Sequence, residues 1–514
     1  MMKNAARPLV VVHYHWRPGG VRRVIETALP ALVRTGCFNR VMLAAGEAPE
    51  ESWLNALRKA LAPRSVEVAV FEALGYGAGR GGGRVRSAAV REAGRRLLAG
   101  AGADAVVWLH NPALGRHAGL ATALAHAAAD HEAVILFHHH DFLFDNRWGH
   151  WAGIEADGFA DLRSVAEAFF PASPRAAHLC LNAGDHALVE RGFASRAVLL
   201  RNPVARPAVR PGERAAASRW LEAKCGATPA GYWLVPCRLL RRKNLAESVL
   251  LSRWLAPGTA VVTTGGPSSA DEQAYADRLT AVAQRDGWPF HPAVLDSVAP
   301  APSVEALMAA SAAVVSTSLR EGFGLTVYEA AALHRPVLAR ATGDLAVSAP
   351  EGAVVYDDVQ VPRDLFDWRS EAARRAVLWK EWRNKLPSEA AALAGPPGRP
   401  GEDRADVWTF SRLTLPAQTE VLGRSAEDLA AALHGLNPLL AAWRRMELRP
   451  ARWTETGAGP SDLERFAGEF LAAIDRAEHA PPPEATASSR VLAGFLRERL
   501  AGANFYPLLA GDGT

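Results

Sequence analysis

Residues 311–340 read SAAVVSTSLREGFGLTVYEAAALHRPVLAR, with Glu321 and Glu329 eight positions apart around the turn Gly322-Phe323-Gly324. The run 312–315 is short, apolar and β-branched, the pattern of a buried strand. Residues 325–333 are largely helix formers, so the stretch predicts a strand, a glycine turn and a helix. Such a turn points unpaired backbone N–H groups and the positive end of a helix dipole at a ligand, which suits phosphate. Glu321 falls at the carboxyl end of the strand and Glu329 about a turn and a half into the helix. One carboxylate is thereby placed for one end of an anionic ligand and the other for a second set of hydroxyls.

The same alternation runs outward in both directions. Apolar runs at 9–13, 41–44, 105–109, 133–138 and 197–200, then at 232–236, 260–264, 312–316 and 336–339, are separated by alanine- and leucine-rich segments. Strands alternating with helices predict βαβ units and parallel sheets. The proline-rich stretch RNPVARPAVRPGE (201–213) reads as a linker between two such halves, and GPPGRPGED (395–403) marks a second break before a mainly helical region. The expected domains are therefore 1–204, 205–395 and a helical extension, 396–514, packing back on the first. The basic glycine-rich stretch GYGAGRGGGRVR (75–86) reads as a mobile surface loop.

A length of 514 residues exceeds what one core supports and fits two domains with a smaller third piece. Half the residues (49%) are apolar and 22% charged, a globular balance, and a net charge of +4 from 58 basic and 54 acidic residues is too small to argue for nucleic acid. The four cysteines, Cys37, Cys180, Cys225 and Cys237, form no CxxC pair, so reduced thiols in a cytoplasmic protein are expected and a zinc–cysteine site is not. Only LVVV is apolar near the start, too short for a signal peptide, and no stretch reaches the length of a membrane span. The basic stretch SAAVREAGRRLL (87–98) could touch an anionic membrane, with a solvated helix face as the favoured reading.

Several predicted strand ends carry chemistry. The first runs into His13-Tyr14-His15-Trp16-Arg17-Pro18-Gly19-Gly20, and a glycine pair there lets a ligand approach a helix N-terminus. Two more end in His110-Asn111-Pro112 and in His138-His139-His140-Asp141. Ligands of open parallel sheets collect at such carboxyl ends. Because side chains alternate along a strand, at most His138 and His140 of the three share a face, which favours hydrogen bonding to sugar hydroxyls or phosphate over a metal. In the second half, Arg238-Leu239-Leu240-Arg241-Arg242-Lys243-Asn244 follows a strand as an anion clamp, with Arg gripping two oxygens and Lys adding a point charge. The chain lacks a complete G-x-G-x-x-G, which counts against a dinucleotide oxidoreductase.

Taken in order, GGV near 20, NPV at 202–204, RLLRRKN at 238–244, EGFGLTVYEAAALHRPV at 321–337 and TGD at 342–344 resemble glycosyltransferase family 4 over residues 8–350. The resemblance implies the GT-B fold: α/β, two facing Rossmann-like domains with parallel sheets, the site lying in the cleft between them. It implies a retaining hexosyltransferase that uses a nucleotide diphosphate sugar, a UDP- or GDP-hexose, and a hydroxyl acceptor. Gly19 and Gly20 would approach the donor diphosphate from the acceptor side, and Arg238 and Lys243 would hold it. Glu321 with the backbone of Gly322, Phe323, Gly324 and Leu325 would hold the sugar and distal phosphate, and Glu329 the ribose. His110 and His138, or His140, would contact the transferred sugar or its acceptor. No DxD pair stands out, so neither metal nor other cofactor is expected.

A narrower likeness, in HNPALGRH (110–117), HHHDFLFDNRW (138–148), LN..DH (181–186) and LLRNPV (199–204), is to members acting on small polar acceptors, such as mannosylglucosylglycerate- and trehalose-type synthases. It would place Asp141 and Arg147 around the acceptor. The chain departs from the family pattern at His334, where Gly is usual, at Cys237, where Gly or Ser often stands, and in its long C-terminal extension. A nucleotide-sugar-binding protein without turnover and a sugar phosphorylase on the same fold remain alternatives. The sequence does not fix the oligomeric state.

Overall fold

The computed structural model describes residues 6–76, 83–102, 104–296, 300–398, 406–445, 449–452 and 462–511. Half of the glycine-rich stretch expected as a mobile loop (75–86), residues 77–82, lies outside them, and 83–86 open the helix Gly83–Ala101 instead of a loop. The chain divides into two compact units: Met1–Val204 with Lys385–Leu393 and Ala458–Leu500, and Ala205–Asn384 with Ala394–Gly457 and Ala501–Thr514.

The first unit is built on seven parallel strands: β1 (Arg7–Val12), β2 (Phe38–Ala45), β3 (Ser65–Val70), β4 (Val106–His110), β5 (Val134–His139), β6 (Ala176–Cys180) and β7 (Ala197–Leu199). Their order across the sheet is β3-β2-β1-β4-β5-β6-β7. Runs such as LVVV and VVWLH are apolar on both faces because helices cover both sides, the usual condition of a parallel sheet. After β1 the chain moves outward to β3 and returns to lay β4 against β1, so the winding direction switches between β1 and β4.

The second unit repeats the scheme with β8 (Tyr232–Arg238), β9 (Ala260–Gly265), β10 (Phe290–His291), β11 (Ala313–Ser316), β12 (Val337–Arg340) and β13 (Val354–Tyr356), in the order β10-β9-β8-β11-β12-β13. Here the switch falls between β8 and β11. A small antiparallel pair, β14 (Gln360–Pro362) and β15 (Val407–Thr409), lies beyond this sheet in sequence. Buried Arg340 on β12 bridges Glu247 and Asp358, and Tyr356 donates to Glu247 at 2.7 Å, so the charges buried in this core are paired.

Residues 396–514, read from the sequence as one extension, contribute to both units. In the first, helix Asp462–His479 lays Phe466 and Phe470 on Trp108, with ring centroids 6.2 and 5.0 Å apart. Arg196 caps the end of that helix by donating to the carbonyls of Ala477 and Pro481 at 2.9 and 2.8 Å. Helix Ala487–Arg499 packs against helix Ala183–Phe193 where Gly192 stands, and a Cβ there would lie 2.2 Å from the Ala487 carbonyl oxygen. In the second unit, Phe410, Leu413, Val421 and Leu422 complete the core that holds Trp233 and Trp254.

Gly192→Ala should therefore force these two helices apart and destabilise the first unit by about 1–3 kcal/mol, read as a lower urea midpoint. An unchanged midpoint would mean that the helices do not dock this closely.

Candidate functional site

Both switch points carry the residues singled out above. In open α/β sheets such points leave a crevice outside the strand carboxyl ends. In the second unit, the turn after β8 and the loop after β11 are fastened together. Leu319 N–H donates to the Arg242 carbonyl at 2.8 Å, and Thr317 Oγ1 donates to the Lys243 carbonyl at 2.9 Å while lying 2.7 Å from Ser248 Oγ. Asn244 takes a left-handed backbone (φ 48°), is fully buried, donates to Glu247 at 2.9 Å and accepts from Gln418 at 3.1 Å.

This fastening brings the basic turn onto Glu321. Lys243 Nζ pairs with Glu321 Oε1, Arg242 Nη1 stands 3.3 Å from Oε2, and Ser318 Oγ donates to Oε1 at 3.3 Å. Arg238, at the end of β8 opposite Gly265, is exposed. Arg242 was not singled out in the sequence, although the RRK run held the signal: the second arginine, and not the first, meets the carboxylate. Burial pushes the Cys237 thiol up to about 11, against the pull of Lys243 and Arg242, so it stays uncharged.

The backbone of the glycine turn is set by a second loop. A Cβ on Gly343 (φ +57°) would lie 2.1 Å from the Glu321 carbonyl oxygen and 2.6 Å from that of Gly322. Phe323 stacks on Tyr328 at 4.5 Å, and the Tyr328 hydroxyl donates to the Ser348 carbonyl at 2.6 Å and lies 3.0 Å from the Asp344 carboxylate. Gly324, itself left-handed at φ 86°, caps helix Leu325–Ala332, which carries the buried Glu329. Where the helix ends, His334 holds φ 53° and lies 3.3 Å from Arg206. The departure from glycine there is thus a non-glycine residue tolerating a glycine conformation.

In the first unit, β1, β4 and β5 end in a cluster of rings. His110 pairs with His138 in the β4–β5 register. Asn111, left-handed at φ 59°, ties these ends by accepting from the backbone N–H groups of His140 and Asp141 at 3.1 and 2.9 Å. His138 and His140 both turn to the side of His110, whose Nδ1 is 2.9 Å from His140 Nε2, while His139 turns to the other face and meets His178 at 3.0 Å. Burial, followed by the neighbouring imidazoles, holds His110 and His138 well below 6.5, with the Leu200 backbone acting the other way on His138. Burial lowers His140 to about 4 and His13 to about 3. These rings are neutral at pH 7, each with one N–H and one lone pair. Trp108 Nε1–H donates to His138 Nδ1 at 3.2 Å, which puts the His138 proton on Nε2. His110 Nε2 and His13 Nδ1 are buried without a hydrogen-bond partner. Asp141 and Arg147 are paired with each other at 2.7 Å. A side chain at Gly20 would meet nothing within 4 Å, so no packing in the fold itself demands a glycine there.

Residues 251–365, which include Glu321, Glu329 and Gly343, match a known family model. That model is glycosyl transferases group 1. No curated protein sequence matches it. Among solved structures, a glycosyltransferase from Rickettsia africae ESF-5 is 12% identical with a TM-score of 0.50, over 93% of this chain and 100% of that one. The catalytic domain of starch synthase IV from Arabidopsis thaliana, bound to ADP and acarbose, is 13% identical with a TM-score of 0.50, over 92% and 100%. HepE from Anabaena, in complex with UDP and glucose, is 16% identical with a TM-score of 0.48, over 68% and 86%. The chain has the GT-B fold: two Rossmann-like parallel-sheet units and a helical C-terminal region. No helix among its described residues is long and apolar enough to cross a membrane.

Replacing His334 by Gly should relieve the left-handed strain and stabilise the second unit by about 1 kcal/mol, visible as a raised unfolding midpoint. A second expectation concerns acid. His178 is fully buried and burial lowers it to about 3, so its stabilising neutrality is complete above 6.5 and is lost as pH falls from 6.5 toward 3. Each such histidine contributes a slope of about 1.4 kcal/mol per pH unit. His178→Gln should flatten the fall in the unfolding midpoint below pH 6.5, and an unaltered slope would contradict the burial of a neutral ring.

Proposed function

We propose that the chain is a retaining, family 4-type glycosyltransferase that moves a hexose from a UDP- or GDP-sugar to a hydroxyl of a small polar acceptor, in the cytoplasm. The observation that carries this reading is the pair of fastened loops at the second switch point, with Arg242 and Lys243 on Glu321 ahead of the Glu329 helix.

Breaking a glycosyl–phosphate bond builds positive charge on the sugar and negative charge on the departing diphosphate. Cations already held in place stabilise the latter without reorganising, at ~3 kcal/mol for each donor removed. Arg238, Arg242 and Lys243 take that part, and with them in place the diphosphate needs no metal. An arriving diphosphate competes with Glu321 for Lys243, which turns the carboxylate toward the sugar hydroxyls. The backbone of Gly322, Phe323, Gly324 and Leu325, at a helix N-terminus, receives the distal phosphate. Glu329 accepts from the ribose, and Gly19 and Gly20 leave room for the diphosphate from the first unit. His110 and His138, being neutral, bond hydroxyls without repelling the cationic ring, while Asp141 and Arg147 orient the acceptor. The acceptor hydroxyl attacks the face that the diphosphate leaves, and a phosphate oxygen takes its proton. The nucleoside diphosphate bound to the starch synthase IV domain supports a nucleotide donor.

A panel of UDP- and GDP-hexoses should raise the melting temperature, and Glu329→Ala should abolish the shift. Stabilisation by none of them would sink the proposal. With an acceptor present, nucleoside diphosphate should be released and the product's anomeric proton should report retention. Donor binding without release would indicate a binding protein, and phosphate-dependent release of a sugar 1-phosphate a phosphorylase.

A further inference from the structure

We propose that His110, His138 and His140 form a binding site for a zinc-class transition-metal ion, separate from the cationic clamp of the second unit. Among the described residues these three histidines are the one group of metal-ligating side chains that gathers tightly enough, each offering one nitrogen within 4.8 Å of the other two. Zinc–imidazole bonds of about 2.0–2.1 Å set neighbouring ligand nitrogens roughly 3.3 Å apart in a tetrahedron. His110 Nδ1 and His140 Nε2 stand 2.9 Å apart, near that separation.

The protons fit as well. A metal takes the lone pair of each ring and leaves its N–H on the other nitrogen. Trp108 Nε1–H fixes the His138 tautomer, with the lone pair on Nδ1 and the proton on Nε2. Ligation through His110 Nδ1, the nitrogen that faces His140, leaves the His110 proton on Nε2. Hydrogen bonding alone joins His110 and His140 through a single shared proton and leaves His138 outside that bond, whereas an ion engages all three rings.

Three imidazoles without a thiolate suit zinc, copper or nickel over magnesium or calcium. Three protein ligands leave a fourth position open, unlike the closed four-ligand sites that serve structure. The rings are also the ones assigned above to hydroxyl recognition, so an ion bound there competes with the sugar or acceptor. That second consequence rests on the proposed transferase reading; the binding itself does not.

The test uses the full chain without a histidine tag, stripped with a chelator, dialysed against zinc and analysed for metal after gel filtration. One zinc per chain is expected, with affinity falling at least tenfold in His110→Asn and in His140→Gln and unchanged in His479→Gln on the exposed end of helix Asp462–His479. Cobalt in place of zinc should give the intense visible absorption of a four-coordinate ion, which a merely structural histidine cluster would not. No retained zinc, or equal retention in both site variants with unchanged circular dichroism, would overturn the site. Nucleoside diphosphate release should fall with zinc and return with chelator. Zinc bound at the trio with release unaffected would overturn the competition.

Discussion

The carbonyl oxygens of Glu321 and Gly322 lie so close to Cα of Gly343 that no side chain fits between them. That contact fixes the path of the loop after β11, and much else in the second unit follows from it. It sets where the left-handed Gly324 can start the helix bearing Glu329, and it aims Glu321 at Lys243. The other wall of the loop is the turn 241–244, joined to it by Thr317 and Leu319 and braced from behind by Gln418. A backbone clamped on two sides presents its N–H groups in one arrangement, which is what preorganised stabilisation of an anion requires.

The strand ends of the two units that carry the candidate residues handle polarity differently. In the second, ions are kept and paired: Arg340 with Glu247 and Asp358, Lys243 and Arg242 with Glu321. In the first, the cluster at the strand ends is stripped of charge, since crowded imidazoles in a desolvated place cannot all bear protons. A cation-rich end and an end lined by neutral rings suit different ligands, one a polyanion and the other something with neutral donors and acceptors.

Much of this was legible in the sequence. All nine apolar runs became strands, because a run of β-branched residues too short for a helix and flanked by turn residues has few other uses. The strands that escaped notice show why others did not stand out. SVEVAV at β3 alternates with charge at the sheet edge, AAHLC at β6 carries a buried histidine, and β10 and β13 are two and three residues long. The pairing of Glu321 with Lys243 rests on contacts 78 residues apart, which no local pattern encodes. Alternation did place His138 and His140 on one side and His139 on the other, but the arrival of His110 beside them depends on the β4–β5 register. Gly343 and the positive φ of His334 became intelligible only with coordinates, since a glycine or an unusual histidine does not say what presses on it.

The C-terminal region has a consequence for the order of events on the ribosome. The chain passes between the two units after residues 204, 384, 393, 457 and 500. Phe466 and Phe470, which cover Trp108 in the middle of the first sheet, are made more than three hundred residues after it. The first sheet therefore waits, with one face only partly covered, until the helix bearing Phe466 and Phe470 has been made. Neither unit can be cut out of the gene as a single uninterrupted piece, and a nascent chain of this design depends on whatever shields that apolar face while it waits.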